Sequence, residues 1–337
     1  MTSARSLELV CPAGTPAALR AAVEAGADAV YCGFRDETNA RNFAGLNFDA
    51  ATASAGLRYA HARGTKVLLA LNTYPQAEEW KRWKSAVDQA AGLGVDALIL
   101  ADVGLMDYAS GTYPGLRLHL SVQGSATNYE AINFFHERFG IRRAVLPRVL
   151  AFAQLERVVQ STPVEIELFG FGGLCVMVEG RCALSSYVTG ESPNTCGVCS
   201  PAKAVRWEQT PRGLESRLNG VLLDRYAADE NAGYPTLCKG RFEVNGETYY
   251  AIEEPASLNA MELLPEMVRI GIKAIKIEGR QRSPAYVEQV TRVWRQAIDA
   301  CLRAPGEFQM APAWARVLDK VAEGRQHTLG AYHRPWK

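Results

Sequence analysis

Five cysteines crowd one stretch of the chain. Cys175 and Cys182 lie in FGFGGLCVMVEGRC, Cys196 and Cys199 in NTCGVCSPAK, and Cys238 in PTLCKGR, while Cys11, Cys32 and Cys301 stand apart. Four thiolates drawn from separate loops hold either a zinc ion or an iron–sulfur cluster. Structural zinc sites bring their ligands as tight pairs with roughly two to four residues between the thiols. Here six residues separate Cys175 from Cys182, sixteen separate Cys182 from Cys199, and thirty-eight separate Cys199 from Cys238. Only Cys196 and Cys199 make a tight pair. Such uneven spacing favours a cubane cluster slightly over zinc, because its irons present four separated ligand positions. The competing reading is that these thiols are small buried hydrophobes. A glycine-rich, hydrophilic segment is poor material for that.

Other polar residues fall where apolar runs end: Asn72, Asp102, Gln123, Arg148, Glu278 and Arg280. The carboxylate and guanidinium of KIEGR can bind an anionic substrate, the guanidinium bidentately, or close on each other as a structural pair. Asn39 and Arg41 in RDETNARNFAG line the same region or belong to a solvated loop. The histidines, His61, His119, His136, His327 and His333, show no ligand spacing and read as structural or surface groups. No nucleophile elbow, Walker loop, dinucleotide fingerprint or HExxH motif occurs.

The elements that must position these residues repeat as apolar run, loop and amphipathic stretch. Strands are predicted at 7–14, 28–34, 66–73, 95–103, 117–124, 143–150, 164–170 and 272–278. Helices are predicted at 15–27, 57–64, 80–94, 128–140, 151–161, 258–271 and 283–303, the first capped by Thr15 with Pro16 at its first position. Eight short apolar strands alternating with helices predict an α/β fold, a TIM-like (β/α)8 barrel with a large cysteine-containing insertion after the seventh strand. An open doubly wound sheet is the alternative. In either fold, ligands gather at the carboxyl ends of the strands. Residues 1–172 would hold the first seven units, 173–257 the cysteine-rich insertion, 258–303 the closing helix, eighth strand and last helix, and 304–337 an extension.

The chain has 337 residues, 48% of them hydrophobic and 22% charged, with a net charge of +1. That balance leaves no electrostatic footprint for non-specific nucleic-acid binding. No apolar run reaches the roughly 20 residues needed to span a bilayer, and the first residues lack a signal-peptide pattern. The expected address is the cytoplasm, where stable disulfides are rare.

FGGLCVMVEGRCALSSYVTG, NTCGVCSPAKAVRW and KAIKIEGRQRSPAYVEQVTRVWRQAID together resemble the collagenase-like peptidase family, U-32. Within that family the chain is similar to the ubiquinone-biosynthesis branch, through CPAG, AGLNF, LPRVL, ESPNT, ENAGYPTLCKGR and LGAYHR. The resemblance implies a four-iron, four-sulfur (4Fe-4S) cluster on Cys175, Cys182, Cys199 and Cys238. Cys196 stands where the family pattern has an apolar residue, and is either a substitute ligand or a bystander. The resemblance further implies an oxygen-independent hydroxylase subunit acting on a ubiquinone precursor. Its implied partners are a UbiV-like companion subunit in a heterodimer and a lipid-carrier accessory protein, UbiT, with prephenate as oxygen donor. Asn72, Arg148, Glu278 and Arg280 are the candidate catalytic residues. The alternative within the family is hydroxylation of tRNA or rRNA. Peptidase activity has no support in the residues, because ligand cysteines are not free nucleophiles.

Overall fold

The computed structural model describes residues 7–175, 182–230, 232–324 and 326–333. The first half of the chain runs β1 (Glu8–Pro12), α1 (Pro16–Glu24), β2 (Ala29–Gly33), α2 (Ala50–His61), β3 (Lys66–Leu71), α3 (Trp80–Leu93), β4 (Ala97–Leu100), α4 (Val103–Thr112), β5 (Leu118–Leu120), α5 (Tyr129–Phe139), β6 (Arg143–Val145), α6 (Phe152–Gln160) and β7 (Glu165–Gly173). Short polar side chains start the helices. Thr15 accepts from the Ala18 amide at 3.1 Å, Asn128 from Ala131 at 2.9 Å and Asp49 from Thr52 at 2.9 Å.

The insertion then carries α7 (Ala183–Thr189), α8 (Pro193–Cys196) and an antiparallel meander of β8 (Val205–Thr210), β9 (Gly213–Leu218) and β10 (Val221–Tyr226). A small hairpin follows, β11 (Phe242–Val244) with β12 (Glu247–Tyr249). Two Asn-Gly pairs turn these hairpins. Asn219 and Gly220 have φ of 48° and 85°, and Asn245 and Gly246 have 56° and 85°, the left-handed pair that a two-residue hairpin turn needs.

The last elements are β13 (Ala256–Asn259), α9 (Leu264–Ile270), β14 (Ala274–Ile277), α10 (Pro284–Arg303), α11 (Pro312–Val321) and β15 (Gln326–Thr328). Strands β1 to β7 pair in parallel in chain order, and β14 pairs in parallel with both β7 and β1. The eight parallel strands therefore close into a barrel with helices between them. β13 lies antiparallel to the end of β7, with Ser257 opposite Gly173, and β15 runs beside β13.

Two apolar layers hold this together. The larger packs the helices on the outside of the barrel, around Trp83 and Trp294. The smaller is formed inside by Val10, Ala29, Tyr31, Leu68, Ala70, Ala97, Ile99 and Ala274. Its many alanines leave room within the barrel for larger polar side chains. The predicted helix at 258–271 is shorter than expected: residues 256–259 are strand, and the α-helix begins only at Leu264, with Pro265 in its first turn. Asn259 accepts from the Met261 amide at 3.3 Å, which turns the chain between the two.

Candidate functional site

The barrel interior is charged from its floor upward. Arg143 of β6 meets Glu8 at 2.8 Å, Glu165 at 2.7 Å and Glu167 at 3.5 Å. Lys276 of β14 meets the other oxygen of Glu167 at 2.8 Å and lies 3.8 Å from the centre of the Tyr31 ring. Burial alone would raise the Glu8 carboxyl, but Arg143 and Lys66 override it and hold the group below its usual range. Burial lowers Lys276 despite Glu167, and burial with Arg143 and Arg117 keeps His119 well below its ordinary value.

Above this floor, at the carboxyl ends of the strands, lies a small cavity of ≈ 40 Å³ lined by Tyr31, Asn72, Ser121, Lys276 and Arg280, with Ala70, Ile99, Val122 and Val145 as apolar walls. Asn72 is fixed by its oxygen, which accepts from the Ala40 amide at 3.0 Å, so its amide nitrogen reaches Ser121 Oγ at 3.3 Å. Arg280 is buried and gives one bond, 2.9 Å to Asn39 Oδ1. Burial depresses its guanidinium to about 10. Gly14 and Gly33 let this arginine in: a Cβ on Gly14 would lie 1.7 Å from the Arg280 carbonyl oxygen, and one on Gly33 2.8 Å from Nη1.

Of the predicted residues, Asn72 and Arg280 line the cavity. Arg148 and Glu278 are not among its lining residues and are both tied to Gly173. Arg148 donates to the Gly173 carbonyl and stacks on Phe169, and Glu278 accepts from the Gly173 amide at 3.4 Å. Glu278 and Arg280 do not form an ion pair. Asp102 is a helix cap, accepting from Leu105 at 2.8 Å. Tyr31, Ser121, Lys276 and Glu167 were not singled out from the sequence. Of the four only Glu167 had a signal: VEIEL alternates a charge with an aliphatic residue, the pattern of a strand with one polar face.

The cysteine segment docks beside this mouth through the β2–α2 loop. Gly197, at φ 87°, sits where a Cβ would be 2.6 Å from the Asn39 carbonyl oxygen, so the loop holding Cys196 and Cys199 lies directly on the residue that holds Arg280. Phe43 packs edge-on against Tyr234 at 5.4 Å, and the Tyr234 hydroxyl bonds both ends of Ser200. Arg41 of the same loop bears electrostatically on both Cys199 and Arg280.

The thiols themselves differ in their surroundings. Cys182 caps α7, its sulfur 3.3 Å from the Ser185 amide, while the Ser185 hydroxyl donates to the Cys199 carbonyl. Cys182 acts on Cys199, and Cys175 acts on Cys238. Burial raises Cys199 and pushes Cys238 up to about 11. Cys196 instead contacts Thr195 at 3.7 Å and faces Lys203. None of these thiols is in a disulfide. In kind they fit an all-thiolate group. Among the described residues no three His, Cys, Asp or Glu side chains converge on a metal centre. Residues 176–181, between the first two thiols, lie outside the described residues.

The model of peptidase family U32 matches residues 14–335, and the chain belongs to that family. It is 32% identical over 333 residues to a protein of Methanocaldococcus jannaschii named as an uncharacterized protease, covering 97% of this chain and 73% of that one. It is 30% identical over 321 residues to tRNA hydroxylation protein P1 of Bacillus subtilis, covering 94% and 68%. It is 31% identical over 315 residues to tRNA hydroxylation protein P of Escherichia coli, covering 87% and 68%. Among the described residues no histidine contacts a serine, threonine or cysteine: His61 meets Asp96, His119 meets Arg117, His136 the Ile141 carbonyl, His327 Asn259 and Asp319, and His333 Glu262. Nor is any helix long and apolar enough to cross a membrane among the described residues.

Proposed function

We propose that this chain is a hydroxylation protein whose substrate meets the mouth of the barrel, beside a four-iron, four-sulfur cluster held by Cys175, Cys182, Cys199 and Cys238. The observation that carries the reaction class is the similarity, at 30–31% identity over most of the chain, to relatives named for tRNA hydroxylation. The same names support RNA as substrate. Bound, the cluster would supply or accept single electrons. The chain's own residues would do the rest: Arg280, Lys276, Asn72 and Ser121 orient polar groups at the mouth, and the β2–α2 loop joins that mouth to Cys199.

A second substrate is favoured by a different observation. The motifs ESPNT, ENAGYPTLCKGR and LGAYHR resemble those of the ubiquinone branch, specifically UbiU, and a net charge of +1 weighs against a free-standing RNA binder. In that reading the chain works without molecular oxygen, in a heterodimer with a UbiV-like subunit and with the carrier UbiT, which would present a precursor with a long apolar tail. Deleting the gene and measuring both products by mass spectrometry, with and without air, separates the two. A missing hydroxyl on RNA supports the first, loss of quinone only without air supports the second, and neither change removes the hydroxylation reading. Anaerobic purification should give a brown protein with roughly four irons per chain. Cys182→Ala should lose most of that iron, and a colourless protein with stoichiometric zinc would overturn the cluster.

A further inference from the structure

Cys175 and Cys238 share a neighbourhood of fixed charge. Lys239 directly follows Cys238 in a 3₁₀ turn, and its ammonium lies 3.0 Å from a Glu323 carboxylate oxygen. The lysine side chain is 9% exposed and the glutamate 22%, so bulk solvent screens the pair little. The same Glu323 oxygen presses on the end of β7: a Cβ on Gly173 would lie 2.5 Å from it. Gly173 stands two residues before Cys175. One carboxylate therefore sits between the backbone that delivers Cys175 and the cation beside Cys238.

Fastening the chain does not need this carboxylate. Glu323 lies in the turn between α11 and β15, and its backbone already holds that turn to β13. Its amide donates to Ser257 Oγ at 2.7 Å, and β15 pairs along β13 from Ala256 to Leu258. Gly324, at φ 69°, closes on the Pro255 carbonyl oxygen, where a Cβ would be 1.8 Å away. Negative charge is also plentiful here, since Glu278 accepts from the Gly173 amide at 3.4 Å. Burial, Glu253 and Cys175 all push the Cys238 thiol up, and Lys239 draws it down.

Reducing an iron–sulfur cluster adds one negative charge. A fixed cation nearby then favours the reduced form, and a fixed carboxylate favours the oxidised form. We propose that Lys239 and Glu323 set the reduction potential of the cluster. Lys239 is the charge that favours reduction on the Cys175 and Cys238 side, and Glu323 is the positioning residue that holds it there and partly offsets it. This role rests on the cluster reading above, so the experiment reads iron and potential separately and needs no turnover.

The test is anaerobic purification of the full chain and its variants, with iron and sulfide assay and a redox titration followed by electron paramagnetic resonance. Lys239→Met should keep its iron and shift the one-electron equilibrium about tenfold toward the oxidised form, about 59 mV lower. Glu323→Gln, whose amide oxygen still accepts from Lys239, should shift it about threefold the other way. Lys239→Arg, which keeps the charge, should stay within about twofold of the unmodified chain. A tie that only fastened the loop would lower iron content in both charge-removing variants and would not separate their signs. Should Lys239→Met lose its iron, the sign of the Glu323→Gln shift decides. Potentials that move together or stay unchanged, or iron lost from both, would overturn the proposal while the cluster reading stands. An unmodified chain without iron and sulfide would overturn the cluster, and this role with it.

Discussion

The two ends of one barrel interior treat charge in opposite ways. At the floor, the buried Arg143 is surrounded by three carboxylates, and Glu167 is shared between Arg143 and Lys276. At the mouth, Arg280 is equally buried and faces an amide oxygen. The floor closes its charges on each other and serves stability, as expected at the amino end of barrel strands. The mouth leaves Arg280 with no carboxylate within ion-pair distance among the described residues. A partner's presence or absence, more than polarity itself, separates scaffold from site here.

Breaking the floor should have the largest effect. Glu167→Leu removes the shared anion and leaves Lys276 and Arg143 buried without it. The expected loss is about 3–5 kcal/mol in denaturant unfolding, enough to prevent folding in a protein of ordinary stability. A loss under about 1 kcal/mol would mean that the floor is hydrated and the contrast between the ends is false.

Gly33→Ala acts at the mouth. The new methyl would crowd Arg280 Nη1 and the Asn39 side chain, which lies 2.5 Å away at its nearest atom. Gly33 lies within β2, so the effect is crowding, with an expected loss of about 1–3 kcal/mol. Denaturant unfolding reads it, and a loss under about 0.5 kcal/mol would show that Arg280 and Asn39 are free to move aside.

The barrel itself was legible because its strands are continuous apolar runs, buried on both faces. The runs at 28–34, 66–73 and 272–278 correspond to β2, β3 and β14 to within a few residues. The predictions overran where a polar side chain stops a strand. The run at 117–124 is strand only through Leu120, because Ser121 turns residues 122–124 into a 3₁₀ turn. Helix α2 begins at Ala50 and not at 57, set by the Asp49–Thr52 capping box, a local signal present in FDAAT. The meander and hairpin of the insertion had their own signal in Asn219-Gly220 and Asn245-Gly246, and were masked by the polar strands between them. In the site, Asn72 and Arg280 were visible as polar residues at strand ends. Lys276 was not, and Glu167 showed only as one charge of the alternating VEIEL, because within a strand only the closed barrel makes their shared face an interior.

The floor should also carry a pH signature. His119 is buried and its pKa lies well below the ordinary value, with burial as the largest cause. The unfolded chain therefore binds a proton near pH 6.5 that the folded chain refuses, and stability is present above that pH and lost as pH falls below it. The slope is about 1.4 kcal/mol per pH unit for one group. Glu8 and Glu165 are depressed despite burial, by Arg143, and their losses come lower, below about pH 4.5. Between pH 6.5 and about 5 the histidine should dominate, so His119→Gln should flatten the pH dependence of unfolding in that window. An unchanged slope would place the sensitive group elsewhere.

The smallest effect sharpens the contrast most. Asp102 stands at the end of β4, where sequence alone ranks it with Asn72 and Arg280, yet its carboxylate is already committed to the Leu105 amide at 2.8 Å as the cap of α4. By the reasoning applied to the two ends of the barrel, a polar group with its partner in hand belongs to the scaffold. Asp102→Ala should cost about 1 kcal/mol in denaturant unfolding, the usual loss of a helix cap. Asp102→Asn, which keeps an acceptor oxygen, should recover most of that stability. If Asp102→Ala instead left unfolding unchanged, the carboxylate would not act as a cap, and partner commitment would be a poor guide to which strand-end residues belong to the scaffold.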